Sequence, residues 1–332
     1  MTKDKKTTYI ITVFAVLLLL LVFNLLMRMG VINRYVSGVL NFVCINIILA
    51  VSLNITVGCL GQITLGHAGF MSIGAYSAAI FSKLGLLDGM AGYLVSLIIG
   101  GVIACLIGIV IGIPGLRLKG DYLAIITLAF GEIIRVLIEY FNFTGGAQGL
   151  SGIPIYKNFN TIFIIMVLSV AFMYSIMTSR HGRAVLAIRE DEIASEAVGI
   201  NTTYYKVFAF ALSAMFAGIA GGMYAHNMGI LNAKQFDYNY SINILVMVVL
   251  GGMGSFTGAT LSAIVITLLP EMLRGFADYR MIVYSIVLIL MMIFRPIGLL
   301  GRKEFSITKV LNYIKLKTKG ANVNIKEVKD EW

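Results

Sequence analysis

The sequence predicts an all-α polytopic membrane protein with about ten membrane-embedded helices. Hydrophobic residues make up 59% of the 332 and charged residues only 13%, against about 45–50% and about 25% in an ordinary soluble domain. Apolar runs recur along most of the chain, and a helix needs about 20 such residues to cross a bilayer. A third observation excludes the other membrane architecture. A transmembrane barrel alternates apolar and polar residues in segments of about ten, whereas the stretches from Tyr9 to Met27 and from Thr161 to Thr178 are apolar on every side. In lipid, only a helix satisfies its own backbone along such a run.

In order, spans are expected at about 9–27, 36–57, 68–84, 93–113, 121–141, 161–178, 205–231, 242–252, 257–270 and 281–296. The first follows Lys3, Lys5 and Lys6 and so resembles a signal peptide. It is too long for one, and Arg28, Met29 and Gly30 after it form no small-residue cleavage site, so it reads as an uncleaved span. The eighth and ninth are short and are separated by the run GGMGSFTG from Gly251 to Gly258. They fit two tilted short helices, a re-entrant pair, or one span with a broken helix. A similar interruption, GCLGQITLGHAG from Gly58 to Gly69, lies between the second and third spans. Glycine-interrupted apolar segments in both halves point to a transport site. Five spans before residue 150 and five after suggest an inverted repeat of five plus five, although the two interruptions are offset by one span.

The formal net charge is +10, and its placement explains it. With both termini inside, the cytoplasmic side holds Lys3, Lys5 and Lys6, the pair Arg117 and Lys119, the group Arg180, Arg183, Arg189 and Lys206, and the basic tail from Arg295 onward. That is most of the 26 basic residues, as the positive-inside rule requires. The excess is topological and implies no nucleic-acid partner. Cys44, Cys59 and Cys105 stand at unrelated spacings in or beside apolar segments, which suggests packing residues rather than a disulfide framework or a metal site.

The longest hydrophilic stretch between spans, Ser179 to Tyr204, reads as an amphipathic helix over about 183–199. Leu186, Ala187, Ile193, Ala194, Ala197 and Val198 fall on one side, with Arg189, Glu192 and Glu196 on the other. Gly199 is placed to end it. The acids Glu190, Asp191 and Glu192 suit an anionic membrane surface poorly, which favours a protein partner. On the fifth span, Glu132, Arg135 and Glu139 share a face and can pair. They are either functional groups within the membrane or a wetted structural set near the outer end. Gln62, Thr64 and His67 either line a pathway or satisfy the broken backbone around Gly61 and Gly66. The loop from Thr144 through Gln148 to Pro154 is expected to be flexible and polar at the external mouth. Gly218 and Gly222, four apart, let another helix approach closely, within the chain or at an interface.

Several segments carry a family resemblance. The run RAVLAIREDEIASEAVGINTTYYKVFAFALSAMFAGIAGGMYA from Arg183 to Ala225 resembles the cytoplasmic coupling loop and following span of the M-type permease subunit of branched-chain amino-acid ABC importers. LNITVGCLGQITLGHAGFMSIGAYSAAI from Leu53, GDYLAIITLAFGEIIRVLI from Gly120, TGGAQGLSGIP from Thr144 and VLGGMGSFTGAT from Val249 resemble the family in the same order. The likeness covers most of the chain from about 50 to 300 and stops before the tail beyond Gly301. It implies a permease domain over 1–300 and a basic cytoplasmic tail over 301–332, in a bacterial inner membrane. It also implies a coupling role for Arg189, Glu190, Asp191, Glu192, Glu196 and Gly199, docked in a cleft of an ATP-hydrolysing subunit. The implied partners are a second permease subunit, two such ATPases and an extracytoplasmic solute-binding protein. The glutamate-alanine-alanine signature of many other importers is not reproduced, since Glu196, Ala197 and Val198 run straight into Gly199.

No GxxxxGK[ST] phosphate loop occurs in the chain, so no cofactor is expected here and ATP falls to a partner. The resemblance implies leucine, isoleucine and valine as cargo, with urea or short amides as the alternative within the family. A self-sufficient secondary transporter would need an intramembrane carboxylate for ion coupling, and only Glu132 and Glu139 offer one, beside Arg135. An intramembrane enzyme is disfavoured by the absence of HExxH and GxSxG.

Overall fold

Residues 16, 18–27, 29–30, 33–118, 120–273, 279–294 and 298–301 are described by a computed structural model. Lys3, Lys5, Lys6, Lys119, Arg295 and the tail beyond Gly301 lie outside these residues. The chain divides into one unit of residues 1–37 with 303–332 and a second of residues 38–302. In the first, α1 (Leu18–Met27) carries a side-chain bond from Asn24 to the carbonyl of Leu20, at 3.0 Å.

Among the described residues every regular element is a helix, apart from one isolated bridge between Leu150 and Leu231. The helices are α2 (Arg34–Asn54), continued by a π-turn at Ile55–Cys59, α3 (His67–Lys83), α4 (Gly89–Gly115), α5 (Asp121–Tyr140), α6 (Phe159–Thr178), α7 (Arg180–Glu190), α8 (Glu192–Ala197), α9 (Thr202–Met228), α10 (Tyr238–Gly251), α11 (Phe256–Met272) and α12 (Arg280–Phe294). Among the described residues four helices are long and apolar enough to cross a membrane by themselves: Arg34–Cys59, Gly89–Gly115, Phe159–Thr178 and Thr202–Met228. With the shorter apolar helices beside them, the chain is a multi-pass membrane protein. The expected spans from 36–57 to 257–270 sit on helices whose ends differ by a few residues, because an apolar run marks a helix's depth but not its caps; parts of 9–27 and 281–296 lie outside the described residues.

The core is built from α3, α4 and α9, and glycine sets its spacing. A Cβ on Gly74 of α3 would overlap the backbone of Gly218 on α9. One on Gly100 would lie 2.6 Å from the carbonyl of Gly74, one on Gly108 2.7 Å from the Ala214 methyl, and one on Gly222 2.7 Å from Leu97. Backbones this close are held by dispersion across their whole length, as membrane helices require. Gly218 and Gly222 therefore serve packing within the chain, the first of the two uses that the spacing allowed.

The segment 242–270, open in the sequence, folds as two helices. Gly251 of α10 meets Gly258 of α11, and the Ser262 hydroxyl donates to the carbonyl of Met247, so the pair runs antiparallel. With 14 and 17 residues, they reach only about 21 and 26 Å, short of the roughly 30 Å hydrocarbon core. The turn between them is made by Gly252 (φ +106°) and Gly254 (φ +97°), a backbone that side chains with a Cβ resist. The Gly298–Gly301 stretch returns to this turn, with Leu299 N–H donating to Leu250 at 2.7 Å.

Candidate functional site

The two glycine-rich interruptions, far apart in sequence, converge at one end of the bundle. Asn54, fully buried at the last turn of α2, joins them. Its Oδ1 accepts from the N–H of Gly254 at 2.9 Å, and its Nδ2 donates to the carbonyl of Ser255 at 3.1 Å. Beyond Asn54 the helix widens into the π-turn, where Leu60 N–H donates to Ile55 and Gln62 N–H to Thr56, both at 3.0 Å. Such a turn disturbs the regular ladder, and the last carbonyls of any helix lack partners within it. The carbonyl of Gly58 is one of these, and the Arg189 guanidinium donates to it from α7 at 2.8 Å. Glu190 accepts from the other edge of Arg189, at 2.7 and 3.2 Å.

The strand-like stretch after the π-turn is pinned from several sides. Leu65 N–H donates to the Thr127 hydroxyl of α5 at 3.0 Å, and Ala68 N–H to Ser241 of α10 at 2.9 Å. Thr64 is buried 3.5 Å from the Thr56 hydroxyl, and His67 Nε2 shares a 2.9 Å hydrogen bond with Ser52. Thr64 and His67 are thus tied back to the π-turn and the last turn of α2. Gln62 differs, since its Oε1 is buried with no partner among the described residues.

The expected single helix over 183–199 is a correction. It breaks at Asp191, which is extended (φ −157°, ψ 115°) and caps α8 by accepting from the N–H groups of Ile193 and Ala194 at 2.9 and 3.0 Å. Aspartate competes for backbone donors and prefers this position. α8 ends as the sequence indicates. Gly199 takes φ +88°, its N–H donates to Glu196 and that of Ile200 to Ser195, at 2.9 and 3.0 Å, which is a Schellman close.

The break also redistributes the faces. Glu192 turns back to Lys206 of α9 at 2.7 Å, and Glu196 accepts from the Thr202 hydroxyl at 2.7 Å. A cavity there is lined by Arg117, Glu192, Glu196, Thr202 and Lys206. The apolar side expected from the sequence is not the buried one: Leu186 and Ala187 are half-buried, Ala194 and Ala197 are exposed, and Ile193 and Val198 are each 77% exposed, while Val185 and Ile188, outside that set, are buried.

At the opposite end of the bundle, Arg135 pairs with Glu132 at 2.7 Å and with Glu139 at 3.5 Å. Glu132 also accepts from the N–H of Tyr238, at the start of α10, at 3.1 Å. The Thr144 hydroxyl lies 2.5 Å from the carbonyls of Ile138 and Phe141, closing α5, and Gln148 is exposed in a short 3-10 turn. The loop around them is held by hydrogen bonds at several points. Leu150 and Leu231 exchange backbone bonds at 2.8 and 2.9 Å, Tyr156 N–H donates to His226, and Lys83 donates to the carbonyl of Ser151. Its positive-φ glycines, 145, 146, 149 and 152, shape tight turns.

Cys44, Cys59 and Cys105 form no disulfide, and no group of metal ligands occurs among the described residues. Sequence reading missed Asn54, Thr127, Ser241 and Lys206. The signal for Asn54 was an amide at the end of an apolar run, next to the first interruption.

The family model described as branched-chain amino acid transport system / permease component matches residues 35–295. The high-affinity branched-chain amino acid transport system permease protein LivM of Salmonella typhimurium is 36% identical over 267 residues, covering 70% of this chain and 62% of that protein. Its counterpart in Escherichia coli K12 is 37% identical over the same shares. The permease protein LivH of Escherichia coli K12 is 28% identical over 146 residues, 43% of this chain and 46% of that one. The chain thus matches 62% of the length of the two LivM proteins. No solved structure matches it.

Proposed function

We propose, for a chain that belongs to the permease family of branched-chain amino acid transport systems, that it forms half of the pathway for leucine, isoleucine and valine in an ATP-driven importer. The other half is a second permease subunit. Two ATPase subunits bind the nucleotide, and an extracytoplasmic solute-binding protein delivers the cargo. In this reading about ten helices are membrane-embedded, arranged as five plus five, with both termini in the cytoplasm of a bacterial inner-membrane protein. Residues 1–300 form the permease domain and 301–332 a basic tail.

The observation that carries the reading is the α7–α8 segment. One side of it is bonded to the two broken segments through Arg189 and to α9 through Glu192 and Glu196. The other side presents Ile193 and Val198 to solvent. Two exposed apolar side chains on a short polar helix fit a partner's cleft better than water. Asp191 and Gly199 act here as the caps that give α8 its length, and Arg189 and Glu190 as its attachment to the membrane domain. Gln62, with a buried unpaired oxygen, is the best pathway candidate among those expected. Thr64 and His67 support it. An ion-coupled carrier fits less well, because Glu132 and Glu139 both face Arg135.

The test is uptake of labelled leucine and labelled urea by cells with and without the gene, and with the Ile193→Asp, Val198→Asp double variant. Leucine uptake is expected to require the gene and to be lost in the variant while the protein stays in the membrane. Loss of urea uptake alone would move the cargo to the amide branch, and normal leucine uptake by the variant would remove α8 as the docking element.

A further inference from the structure

One side chain, Arg189, lies against both interruptions, which the sequence keeps far apart. Its Nη1 donates to the carbonyl of Gly58, 131 residues earlier, at 2.8 Å. Its aliphatic stem lies over Gly61, where a Cβ would come within 2.7 Å of the Arg189 Cγ. A Cβ on Gly254 would lie 3.2 Å from its Nη1. Glycine is needed at 61 and 254 for φ values of +76° and +97°, and at both it also leaves the space that Arg189 occupies.

The chemistry favours arginine in particular. The Gly58 carbonyl ends a helix of 26 residues counting the π-turn, and a cation is stabilised at a helix C-terminus. The guanidinium presents a rigid fork, so one edge can hold Gly58 while Nε and Nη2 hold Glu190 at 3.2 and 2.7 Å. Its side chain is only 18% exposed, which partly shields the bond to Gly58 from competing water, whereas Glu190 is 63% exposed. Because Asn54 ties the α10–α11 turn to the same helix end, moving Arg189 moves both breaks.

We propose that Arg189 is the positioning residue through which displacement of the α7–α8 segment shifts the π-turn of α2 and the α10–α11 turn together as one unit. This rests on the permease reading above and adds to it the route by which the cytoplasmic segment reaches the two interruptions. A bistable pair of breaks joined at one point is the kind of element that coupling between sites requires.

The test uses the whole importer, with its ATPases, second permease subunit and binding protein, in proteoliposomes, and reads leucine accumulated per ATP hydrolysed. Arg189→Gln is expected to lower that ratio about ten-fold, within the usual range of coupling energies. Arg189→Lys should recover part of it, because an ammonium still reaches the Gly58 carbonyl. An unchanged ratio in Arg189→Gln would overturn the proposal. So would a proportional fall of leucine transport and ATP hydrolysis, the mark of a merely destabilised protein. A second measurement stands apart from the cargo. Spin labels at Ala197→Cys and Met253→Cys, both exposed sites, report the distance between α8 and the α10–α11 turn. Arg189→Gln should broaden that distance distribution, and an unaltered distribution would also overturn the proposal. A wild-type complex that moves no leucine, with the broadening still produced by Arg189→Gln, would sink the leucine reading and leave the role of Arg189 standing.

Discussion

Glycine has opposite uses in two regions of this protein. In the contact of α3, α4 and α9, Gly74, Gly100, Gly108, Gly218 and Gly222 keep ordinary helical backbone and supply absence of volume, so that helices touch along their main chains. At the junction of the two breaks, Gly61, Gly252 and Gly254 supply left-handed backbone, and what they touch is a side chain or a turn rather than a helix face. The first use makes a rigid block, since close-packed interiors shift in discrete steps and not continuously. The second ends helices within the block and leaves their ends held by hydrogen bonds. Two short helices and a π-turn, fixed by Asn54 and Arg189, then have a firm surface against which to move.

That contrast can be broken at its rigid side first. Gly74→Val would drive two methyl groups into the Gly218 backbone, and overpacking of this kind costs about 3 kcal/mol. The expected result is a clear drop in thermal stability of the purified protein and poor recovery from membranes. Retention of wild-type stability would mean that the block yields more than its glycines suggest. The junction should respond less. Asn54→Leu leaves the Gly254 N–H and the Ser255 carbonyl without their partner, a loss of about 2 kcal/mol. Leucine uptake should fall by more than thermal stability does, because the joined breaks and not the block are disturbed. Equal losses in both would make Asn54 an ordinary packing residue.

The sequence made one of these regions far more legible than the other. The helices were readable because apolar runs of bilayer length leave no alternative to helix in lipid, and the two breaks because GCLGQITLGHAG and GGMGSFTG interrupt such runs with glycine. Gly199 announced the end of α8 by its position alone. Their convergence was not readable, since Asn54 meets Gly254 across 200 residues and no local pattern encodes that distance. The inward turn of Glu192 and Glu196 was hidden for a related reason. Their partners Lys206 and Thr202 lie on the next helix, and a wheel drawn through an unbroken 183–199 puts them on the wrong side. Asp191 carried the missing information, as an N-cap residue inside an apparently continuous helix.

The smallest expected effect lies at the far end of the bundle and separates a structural ion group from a functional one. Arg135 stands between Glu132 and Glu139, and all three are partly exposed, with side-chain accessibilities of 24% for Arg135 and 29% for each glutamate. Ion pairs this exposed are worth about 1 kcal/mol or less where water reaches them, so Arg135→Ala should destabilise modestly, chiefly by leaving two carboxylates on one helical face without their cation. Adding Glu132→Gln removes the repulsion and keeps an acceptor for the Tyr238 N–H that Glu132 now holds at 3.1 Å. The double variant should therefore regain part of the lost stability, and its leucine uptake should follow stability alone. A double variant no better than Arg135→Ala would argue against the pair. A recovered stability with uptake still lost would instead place these charges on the cargo's route, and so move the functional centre away from the breaks and toward the outer end of α5.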